Sequence, residues 1–333
     1  MTIQTLPLKP IEDDFEAKTQ AAIDQFDAVA ATVAGVVRAG LRNVFFVGAG
    51  GSLIAGYPAV YLLHQRTDLP VYQVQSDELN TSRPGKLGAG SLVVLASYTG
   101  TTKETVAAAH YAKSTGATVV SVGKLGSPLA EASDVAFAPD GDIVELLIAY
   151  ALLEQTGVPG DYDAVRAAVR ALPKALLSAQ EESEDTVHAI AEALKDEPIT
   201  YVLGSGPCYG WAYGLAMCYL QEMQWVHAAA FNAGEFFQGA FEIVDESVPV
   251  ICLLAEDASR PMAERARAFL DRYTEKAHYI DTRALTLPGI PDELRGDFAP
   301  LAMRAVIARL AQHYEAVRGH DLDQRHYMFK VEY

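Results

Sequence analysis

Phe46-Val-Gly-Ala-Gly50 is a short apolar run that ends in a glycine turn, and it decides the fold because the chain contains it twice. Its second copy is Tyr201-Val-Leu-Gly-Ser-Gly206, whose two glycines match those of the first. A second apolar run recurs in the same order, first at Ser91–Ala96 and then at Val248–Ala255. Both matches fall at an offset of roughly 155–160 residues, which indicates an internal duplication of one domain.

Apolar runs alternate with longer helical stretches along the chain, and this predicts parallel sheets covered by helices on both faces. The predicted strands are Val44–Val47, Val71–Val74, Leu92–Ala96, Thr118–Val122, Tyr201–Gly206, Val248–Ala255 and Ala277–Asp281. The stretch Ile143–Lys195 is predicted to be helical, with breaks near Gly157–Gly160 and at Pro173. The fold class is therefore α/β, with two tandem doubly wound parallel sheets of the flavodoxin-like or Rossmann-like kind.

This pattern also predicts a division of the chain into five segments. They are an N-terminal helical segment (1–40), a first α/β domain (41–157), bridging helices (158–197), a second α/β domain (198–318) and a C-terminal tail (319–333).

Composition narrows the possible partners and compartments. The chain has 333 residues, of which 50% are hydrophobic, and a formal net charge of −17. So acidic a surface repels nucleic acid and anionic membranes, and no apolar run is long enough to span a bilayer. The first residues lack the pattern of a secretion signal, and the three cysteines have no metal-ligand spacing. We expect a cytoplasmic protein with free thiols that binds neither nucleic acid nor membranes.

The most distinctive local chemistry is Ser97-Tyr-Thr-Gly-Thr-Thr102, which follows a predicted buried strand and opens a helix. Ligands of an open parallel sheet bind beyond the carboxyl ends of its strands. Here Ser97, Thr99 and Thr102 supply hydroxyls, Gly100 lets the backbone approach closely, and the helix start supplies amides. These groups can hold a phosphate without metal. In the alternative interpretation the same hydroxyls only cap the helix.

A companion loop, Gly48-Ala-Gly-Gly-Ser-Leu53, follows the first predicted strand. Its glycines suggest a dinucleotide site, but Leu53 stands where the third glycine of that fingerprint belongs. The chain also lacks the Gly-Lys-Ser/Thr sequence of a nucleoside triphosphate loop. Neither of these two nucleotide sites is therefore predicted.

Together the two loops resemble those of the sugar-isomerase (SIS) domain family. The tandem arrangement is similar to the isomerase domain of glucosamine-6-phosphate synthase and, more closely, to fructosamine-6-phosphate deglycases. The resemblance implies that the loops bind the 6-phosphate of a sugar through Ser52, Ser97, Thr99 and Thr102, supported by Gly50, Gly51, Tyr98 and Gly100. The corresponding loop of the second half, Ala255-Glu-Asp-Ala-Ser-Arg260, carries carboxylates instead, so only the first half is expected to bind phosphate.

The resemblance also implies that Glu222 is the base that moves a proton between C1 and C2 of the sugar. Sixteen residues later the family carries a histidine, whereas this chain has Gln238, which cannot transfer a proton at neutral pH. His227, placed one turn beyond Glu222 on a predicted helix, is then the nearest alternative acid. His320 and His326 in the tail are further candidates.

Three other residues receive weaker assignments. The tail resembles the deglycase C-terminus, which in relatives folds over the active site, and Lys330 would then be a lysine near the sugar. Glu235 is expected to support a helix start. Trp225, three residues after Glu222, is expected to share its helical face and either wall the site or pack in the core.

The function predicted from these residues is deglycation of a ketosamine 6-phosphate, without metal or organic cofactor. The alternatives are an aldose–ketose phosphosugar isomerase, an amino-sugar-phosphate deaminase, and a non-catalytic sugar-phosphate-binding protein. Gln238 in place of the family histidine keeps the last of these open. Family members form dimers, so we expect a homodimer or larger homo-oligomer, and the aromatic stretch Trp211–Trp225 would suit its interface.

Four cations could meet a substrate carboxylate, and the sequence does not rank them: Arg83, Lys86, Arg260 and Arg325.

Overall fold

The computed structural model describes residues 5–328 and 330–332. Residues 1–4 of the predicted N-terminal segment, and Phe329 and Tyr333 of the predicted tail, lie outside the described residues. The chain divides into two compact units: the first unit comprises residues 16–170, and the second comprises residues 1–15 together with 171–333. The finer division into five segments stays a prediction.

The first unit contains a five-stranded sheet in which all paired strands are parallel. Its strands are β1 (Asn43–Gly48), β2 (Val71–Gln75), β3 (Ser91–Ser97), β4 (Thr118–Gly123) and β5 (Val135–Phe137), in the spatial order β2-β1-β3-β4-β5. Every residue of β1 and β3 is buried, as expected for central strands of a sheet covered on both faces.

Nine helices are described from the N-terminus to the start of the second sheet. They are α1 (Phe15–Ile23), α2 (Phe26–Arg38), α3 (Gly51–Ala55), α4 (Tyr57–Arg66), α5 (Ser76–Ser82), α6 (Lys103–Ser114), α7 (Pro128–Ala132), α8 (Gly141–Gln155) and α9 (Tyr162–Leu194). Apolar side chains of β1 and β3 pack against α6 and α7, for example Val93 and Leu95 against Ala108 and Leu129. Burial of these side chains holds the loops that follow the strands in place.

The second unit contains a four-stranded parallel sheet. Its strands are β6 (Ile199–Gly204), β7 (His227–Asn232), β8 (Val250–Leu254) and β9 (Ala277–Asp281), in the order β7-β6-β8-β9, and its further α-helices are α10 (Tyr209–Gly214), α11 (Arg260–Tyr273) and α12 (Asp292–Arg318). A π-helix, Leu215–Met223, continues directly from α10. Short 3₁₀-helices cover Gly206–Cys208, Glu235–Gln238, Ala240–Ile243 and Thr282–Ala284.

The strand orders confirm the predicted fold class. With β6 equated to β1, the second sheet repeats the order of the first four strands, and this order is that of a flavodoxin-like doubly wound sheet. The second sheet has no counterpart of β5 within the described residues. Over the same residues, no helix combines the length and apolar composition that a membrane crossing requires.

Three local predictions were wrong or incomplete. Helix α9 runs through Pro173 without a break, because buried residues such as Leu172 and Leu176 on either side continue its packed face and offset one lost hydrogen bond. Strand β5 was missed because it has only three residues. Strand β7 was missed because its alanines give no alternation of apolar and polar residues, so His227 begins a strand and does not lie on a helix.

Candidate active site

The alcohol-rich loop Ser97–Thr102, here called the alcohol loop, connects β3 to α6 at the carboxyl edge of the first sheet. Ser97 is buried, whereas the side chains of Tyr98 and Thr99 are exposed. The hydroxyl oxygens of Ser97 and Thr102 lie 2.9 Å apart. Those of Thr99 and Thr101 lie 2.8 Å apart. The loop therefore holds its hydroxyls in two adjacent pairs.

Thr102 occupies the cap position of α6, yet its hydroxyl makes no capping hydrogen bond to the helix. The hydroxyl lies against Ser97 instead. Capping thus does not account for Thr102, and the start of α6 retains the positive end of the helix dipole. Both properties suit an anionic ligand.

Tight packing fixes the shape of the alcohol loop. Gly100 has a φ of +66°, and a Cβ added to it would lie 1.9 Å from Oγ of Ser127. Its amide donates to the carbonyl of Ser97 at 3.0 Å. The carbonyl of Tyr98 accepts from the amide of Lys124 at 3.1 Å, and that of Gly100 accepts from Leu129 at 3.0 Å. A glycine is required here on both conformational and steric grounds.

The companion loop follows β1, the neighbour of β3 in the sheet. Val47 pairs with Leu95 near the ends of the two strands, so Ser52 and Ser97 follow strands that end at the same edge. Gly50 has a φ of +56°, and Gly51 opens the short helix α3. Ser52 is partly exposed. The structure thus brings the two predicted phosphate loops to one edge of the first sheet.

A buried acid lies beside the companion loop, near the start of α8. Oε2 of Glu145 would lie 3.5 Å from a Cβ added to Gly56. This oxygen has no hydrogen-bond partner among the described residues. Complete burial, together with the charge of Asp142, raises the pKa of Glu145 well above its usual range. Burial therefore favours the protonated form of Glu145, a property that no local sequence pattern indicates.

Glu222 lies on the last turn of the π-helix in the second unit. The wide turn is visible in the amide of Gln224, which donates to the carbonyl of Tyr219 at 3.0 Å. Trp225 then takes a φ of +54°, and β7 begins at His227. The prediction that Trp225 shares a helical face with Glu222 was therefore wrong. Single π-helical turns occur frequently at functional sites.

A pocket of about 590 Å³ opens beside Glu222. It is lined by Gln221, Glu222, Trp225, Val226, His227, Arg325, His326, Tyr327 and Met328. Nη2 of Arg325 lies 3.0 Å from Oε1 of Glu222, and the two side chains are 13% and 25% exposed. His227 thus reaches the pocket from a strand, although it was predicted on a helix.

Aromatic stacking attaches the tail to this pocket. The rings of Trp225 and His326 are stacked with centroids 3.5 Å apart. His320 meets the same indole edge-on at 4.4 Å, and its carbonyl accepts from Nε2 of Gln224 at 2.8 Å. Burial lowers the pKa of His320. The unusual backbone of Trp225 thus presents its ring to the tail.

Two predicted catalytic residues lie elsewhere. Gln238 is exposed at the end of a 3₁₀-helix, and neither it nor Lys330 lines the pocket. Lys330 is exposed, and its amine donates to the carbonyl of Arg325. The structure therefore brings Glu222 and His227 together with Arg325, His326 and Tyr327 around one pocket. Sequence spacing alone could not identify this grouping.

The two remaining structural features concern metals and thiols. The described residues contain no group of three or more His, Cys, Asp or Glu side chains that could hold a metal ion. The cysteines are free, and Cys208 and Cys252 are buried. Burial raises the pKa of both of these thiols, which makes them unreactive.

Comparisons with known proteins identify the family. The family model of the SIS domain matches residues 39–146, which include the companion loop and the alcohol loop. Fructosamine deglycase FrlB of Bacillus subtilis (strain 168) is 36% identical over 305 residues, covering 88% of this chain and 93% of that protein. Fructoselysine 6-phosphate deglycase of Escherichia coli O157:H7 is 26% identical over 300 residues, covering 88% and 87%. A Bacillus subtilis crystal structure provisionally assigned as a phosphosugar isomerase superimposes with a TM-score of 0.87 at 32% identity, covering 95% of this chain and 100% of that one.

Proposed function

This chain belongs to the SIS domain family, and from that membership we propose that it is a deglycase, which releases an amine from a ketosamine 6-phosphate. The likeness to fructosamine deglycase, which extends over 93% of that protein, supports the choice of reaction. The position of Glu222 in a pocket supports the choice of base.

In the proposed reaction the alcohol loop and Ser52 bind the phosphate. Their hydroxyls donate to its oxygens, and the dipole of α6 favours its charge. Such local capture is needed because the chain carries a net charge of −17, and its overall field therefore repels a dianion.

Glu222 then takes a proton from C1 of the ketosamine while the C2 oxygen gains one, and the resulting enaminol receives a proton at C2 as its nitrogen loses one. The product is an imine between C1 and the amine nitrogen. Water adds to C1 of this imine and the C–N bond breaks, which yields an aldose 6-phosphate and a free amine. One water is consumed for each substrate, and no electrons are gained or lost.

The acid of this reaction is supplied by a residue in the pocket that contains Glu222. His227 and His326 both line that pocket, whereas Gln238 does not. We assign the proton delivered to the leaving nitrogen to one of these two histidines, because an imidazole can transfer a proton near neutral pH and an amide cannot.

An isomerase acting on an aldose or ketose phosphate is the second candidate, because the crystal structure from Bacillus subtilis at 32% identity carries that provisional assignment. An isomerase would share the proton transfer between C1 and C2 and differ only in lacking the amine. Supplying purified protein with fructosyl-glycine 6-phosphate and, separately, with fructose 6-phosphate distinguishes the two. Release of glycine supports the deglycase, and isomerisation without any release of glycine would refute it.

The role of Glu222 is tested by Glu222→Gln, which keeps the shape of the side chain and removes its basicity. We expect kcat to fall by about 10²- to 10⁴-fold, the usual contribution of a general base. Binding of glucose 6-phosphate should not change.

The exposed Glu242 provides the control variant Glu242→Gln, which should retain full turnover. Full activity of Glu222→Gln would exclude Glu222 as the base, and ligand binding without turnover by the unaltered chain would favour the non-catalytic alternative.

We also propose a cytoplasmic homodimer. Free cysteines, two of them buried, suit a reducing compartment. The stretch Trp211–Trp225 suits an interface less well than its sequence suggests, because Trp211 is only 5% exposed and Trp225 stacks on His326. Tyr213 on the same stretch is 38% exposed and remains available. Sedimentation equilibrium of the unaltered chain and of Tyr213→Lys tests this interface.

A further inference from the structure

Four cations could have met a substrate carboxylate, and the structure distinguishes them. Arg260 is committed to internal partners, since it donates to both carboxylate oxygens of Asp281 at 2.8 and 2.6 Å. Arg83 lies over the ring of Tyr111, with its guanidinium carbon 5.6 Å from the ring centre. Among the four, Arg325 alone lines the pocket of Glu222.

The donors of Arg325 are only partly used. Nη1 donates to the carbonyls of Leu322 and Gln324, which fixes the guanidinium on its own segment of the tail. Nη2 faces Glu222 at 3.0 Å. Nε is buried and has no hydrogen-bond partner among the described residues. A buried donor without a partner costs free energy, so a ligand that supplies an acceptor gains by it.

The charges around the pocket favour an anion. Among the described residues that line the pocket, Glu222 is the one acid, and Arg325 supplies a guanidinium. This contrasts with the chain as a whole, which has a net charge of −17. An incoming carboxylate would therefore meet a more favourable balance of charge here than the acidic average of the chain.

We propose that Arg325 recognises a carboxylate on the amine half of the substrate, and that its ion pair with Glu222 occupies one oxygen of the base until that carboxylate arrives. The proposal rests on the deglycase function above. In the free protein Oε1 of Glu222 accepts from Arg325, which leaves Oε2 as the oxygen of this carboxylate that can take a proton from C1. A substrate carboxylate competes with Glu222 for Nη2 of Arg325 and can also accept from Nε of the same guanidinium. Oε1 of Glu222 is then open.

This arrangement makes Arg325 a specificity residue that acts on catalysis through Glu222. An amine without a carboxylate would leave the ion pair intact, and its adduct would react slowly. The guanidinium is well held for this role, because stacking of His326 on Trp225 fixes the adjacent residue. A planar guanidinium also suits two-point recognition of a carboxylate better than an ammonium group.

The first experiment measures binding without turnover. Its ligands are the 6-phosphates of glucitol-glycine and glucitol-glycinamide, in which C2 is an alcohol, so neither can react. They differ only in a carboxylate and a neutral amide of nearly the same shape. We expect the unaltered chain to bind the glycine compound about 10- to 100-fold more tightly, as a charged hydrogen-bonded pair would give. Arg325→Gln should abolish the preference, and Arg325→Lys should retain part of it.

The second experiment measures turnover of the two corresponding ketosamine 6-phosphates. In Arg325→Gln, kcat/KM for the glycine adduct should fall by a larger factor than that for the glycinamide adduct, so that the ratio of the two values approaches one. A merely structural role would lower both values equally. Arg283→Gln is the control, since Arg283 is an exposed arginine of the same unit that lies outside the pocket.

The outcomes separate this proposal from the deglycase function. Equal binding of the two glucitol compounds by the unaltered chain, or a preference that survives in Arg325→Gln, would overturn the role of Arg325. Preferential binding that depends on Arg325 would support that role even where neither ketosamine is cleaved, and the missing cleavage would then refute the deglycase function alone.

Discussion

The loops that follow β3 and β8 occupy equivalent places in the two sheets and carry different side chains. The alcohol loop after β3 keeps its hydroxyls beside one another at the start of α6. In the loop after β8, Oδ1 of Asp257 accepts from the amide of Ser259 at 2.8 Å, and Oγ of Ser259 lies 3.1 Å from that of Ser205 in the turn after β6. Arg260 next to it is paired with Asp281.

This difference shows that the fold supplies a turn and that the side chains decide whether the turn binds a ligand. In the second unit the carboxylate of Asp257 lies in the loop that corresponds to the hydroxyl-bearing loop of the first unit. The protein's own carboxylate thus takes the place that a bound phosphate is proposed to have in the first unit. The two units share the order of four strands, and only the first is proposed to bind an anion.

Replacing the hydroxyls should give the largest effect. We expect Ser97→Ala, Thr99→Ala and Thr102→Ala each to weaken glucose 6-phosphate binding about 10- to 100-fold, the value of a hydrogen bond to a charged group. The triple variant should show no measurable binding by titration calorimetry. Ser259→Ala in the second unit is the matched control and should bind normally. Equal losses at Ser259 and Ser97 would mean that the two loops do not differ in function.

Gly100 in the alcohol loop and Gly206 in the turn after β6 should respond alike when each is changed to alanine, although only the change at Gly100 should weaken ligand binding. A Cβ on Gly100 would lie 1.9 Å from Oγ of Ser127, and one on Gly206 would lie 2.3 Å from Oγ of Ser259. Both glycines have positive φ, so we expect alanine at either to lower the free energy of unfolding by about 1–3 kcal/mol. Urea unfolding measures this, and only Gly100→Ala should also weaken glucose 6-phosphate binding.

A second substitution separates the clash from the backbone strain. Ser127→Gly combined with Gly100→Ala removes the clashing side chain and leaves φ unchanged. Ser259→Gly combined with Gly206→Ala removes the nearer of two clashing side chains, since Oδ1 of Asp257 would still lie 2.8 Å from the added Cβ. Each pair should recover part of the loss, with a coupling of about 0.5–3 kcal/mol. Strictly additive effects would show that steric contact contributes nothing at these two turns.

The loops also show how far sequence reasoning reaches. The repeated glycine turns and buried strands predict both sheets, because they are local patterns that burial enforces. The same patterns place the alcohol loop at a strand end. The residues themselves therefore predict the fold of the first sheet and the edge at which the alcohol loop lies.

The surroundings of Glu222 were less predictable for physical reasons. A positive φ at Trp225 is rare for a bulky residue and leaves no signature in the sequence, and the π-helix before it shifts the helical register. The partner Arg325 lies far along the chain, so only tertiary packing brings it to Glu222. Likewise, nothing local reveals that Glu145 is buried without a cation.

Glu145 of the first unit, which is buried, and Asp281 of the second, which is partly buried, should make stability depend on pH in opposite directions, and this is the smallest effect expected. Burial and the charge of Asp142 raise the pKa of Glu145. Burial would also raise the pKa of Asp281, but hydrogen bonds from Arg260 and from the amide of Arg283 lower it overall. Folding of the first unit thus favours the protonated form of Glu145. Folding of the second unit favours the ionised form of Asp281.

Glu145→Gln and Asp281→Asn test this by urea unfolding from pH 3 to pH 8. As the pH rises above 4.5, the unfolded chain ionises at Glu145 while the folded chain keeps its proton, so the unaltered chain loses stability and Glu145→Gln gains relative to it. Asp281→Asn should instead be less stable at neutral pH, and its deficit should shrink as the pH falls below 3.8. Differences of about 1 kcal/mol are typical of single substitutions. If both variants followed the same pH trend, the carboxyl of Glu145 would have to be stabilised in its ionised form, and the contrast between an unpaired acid and an arginine-paired acid would not hold.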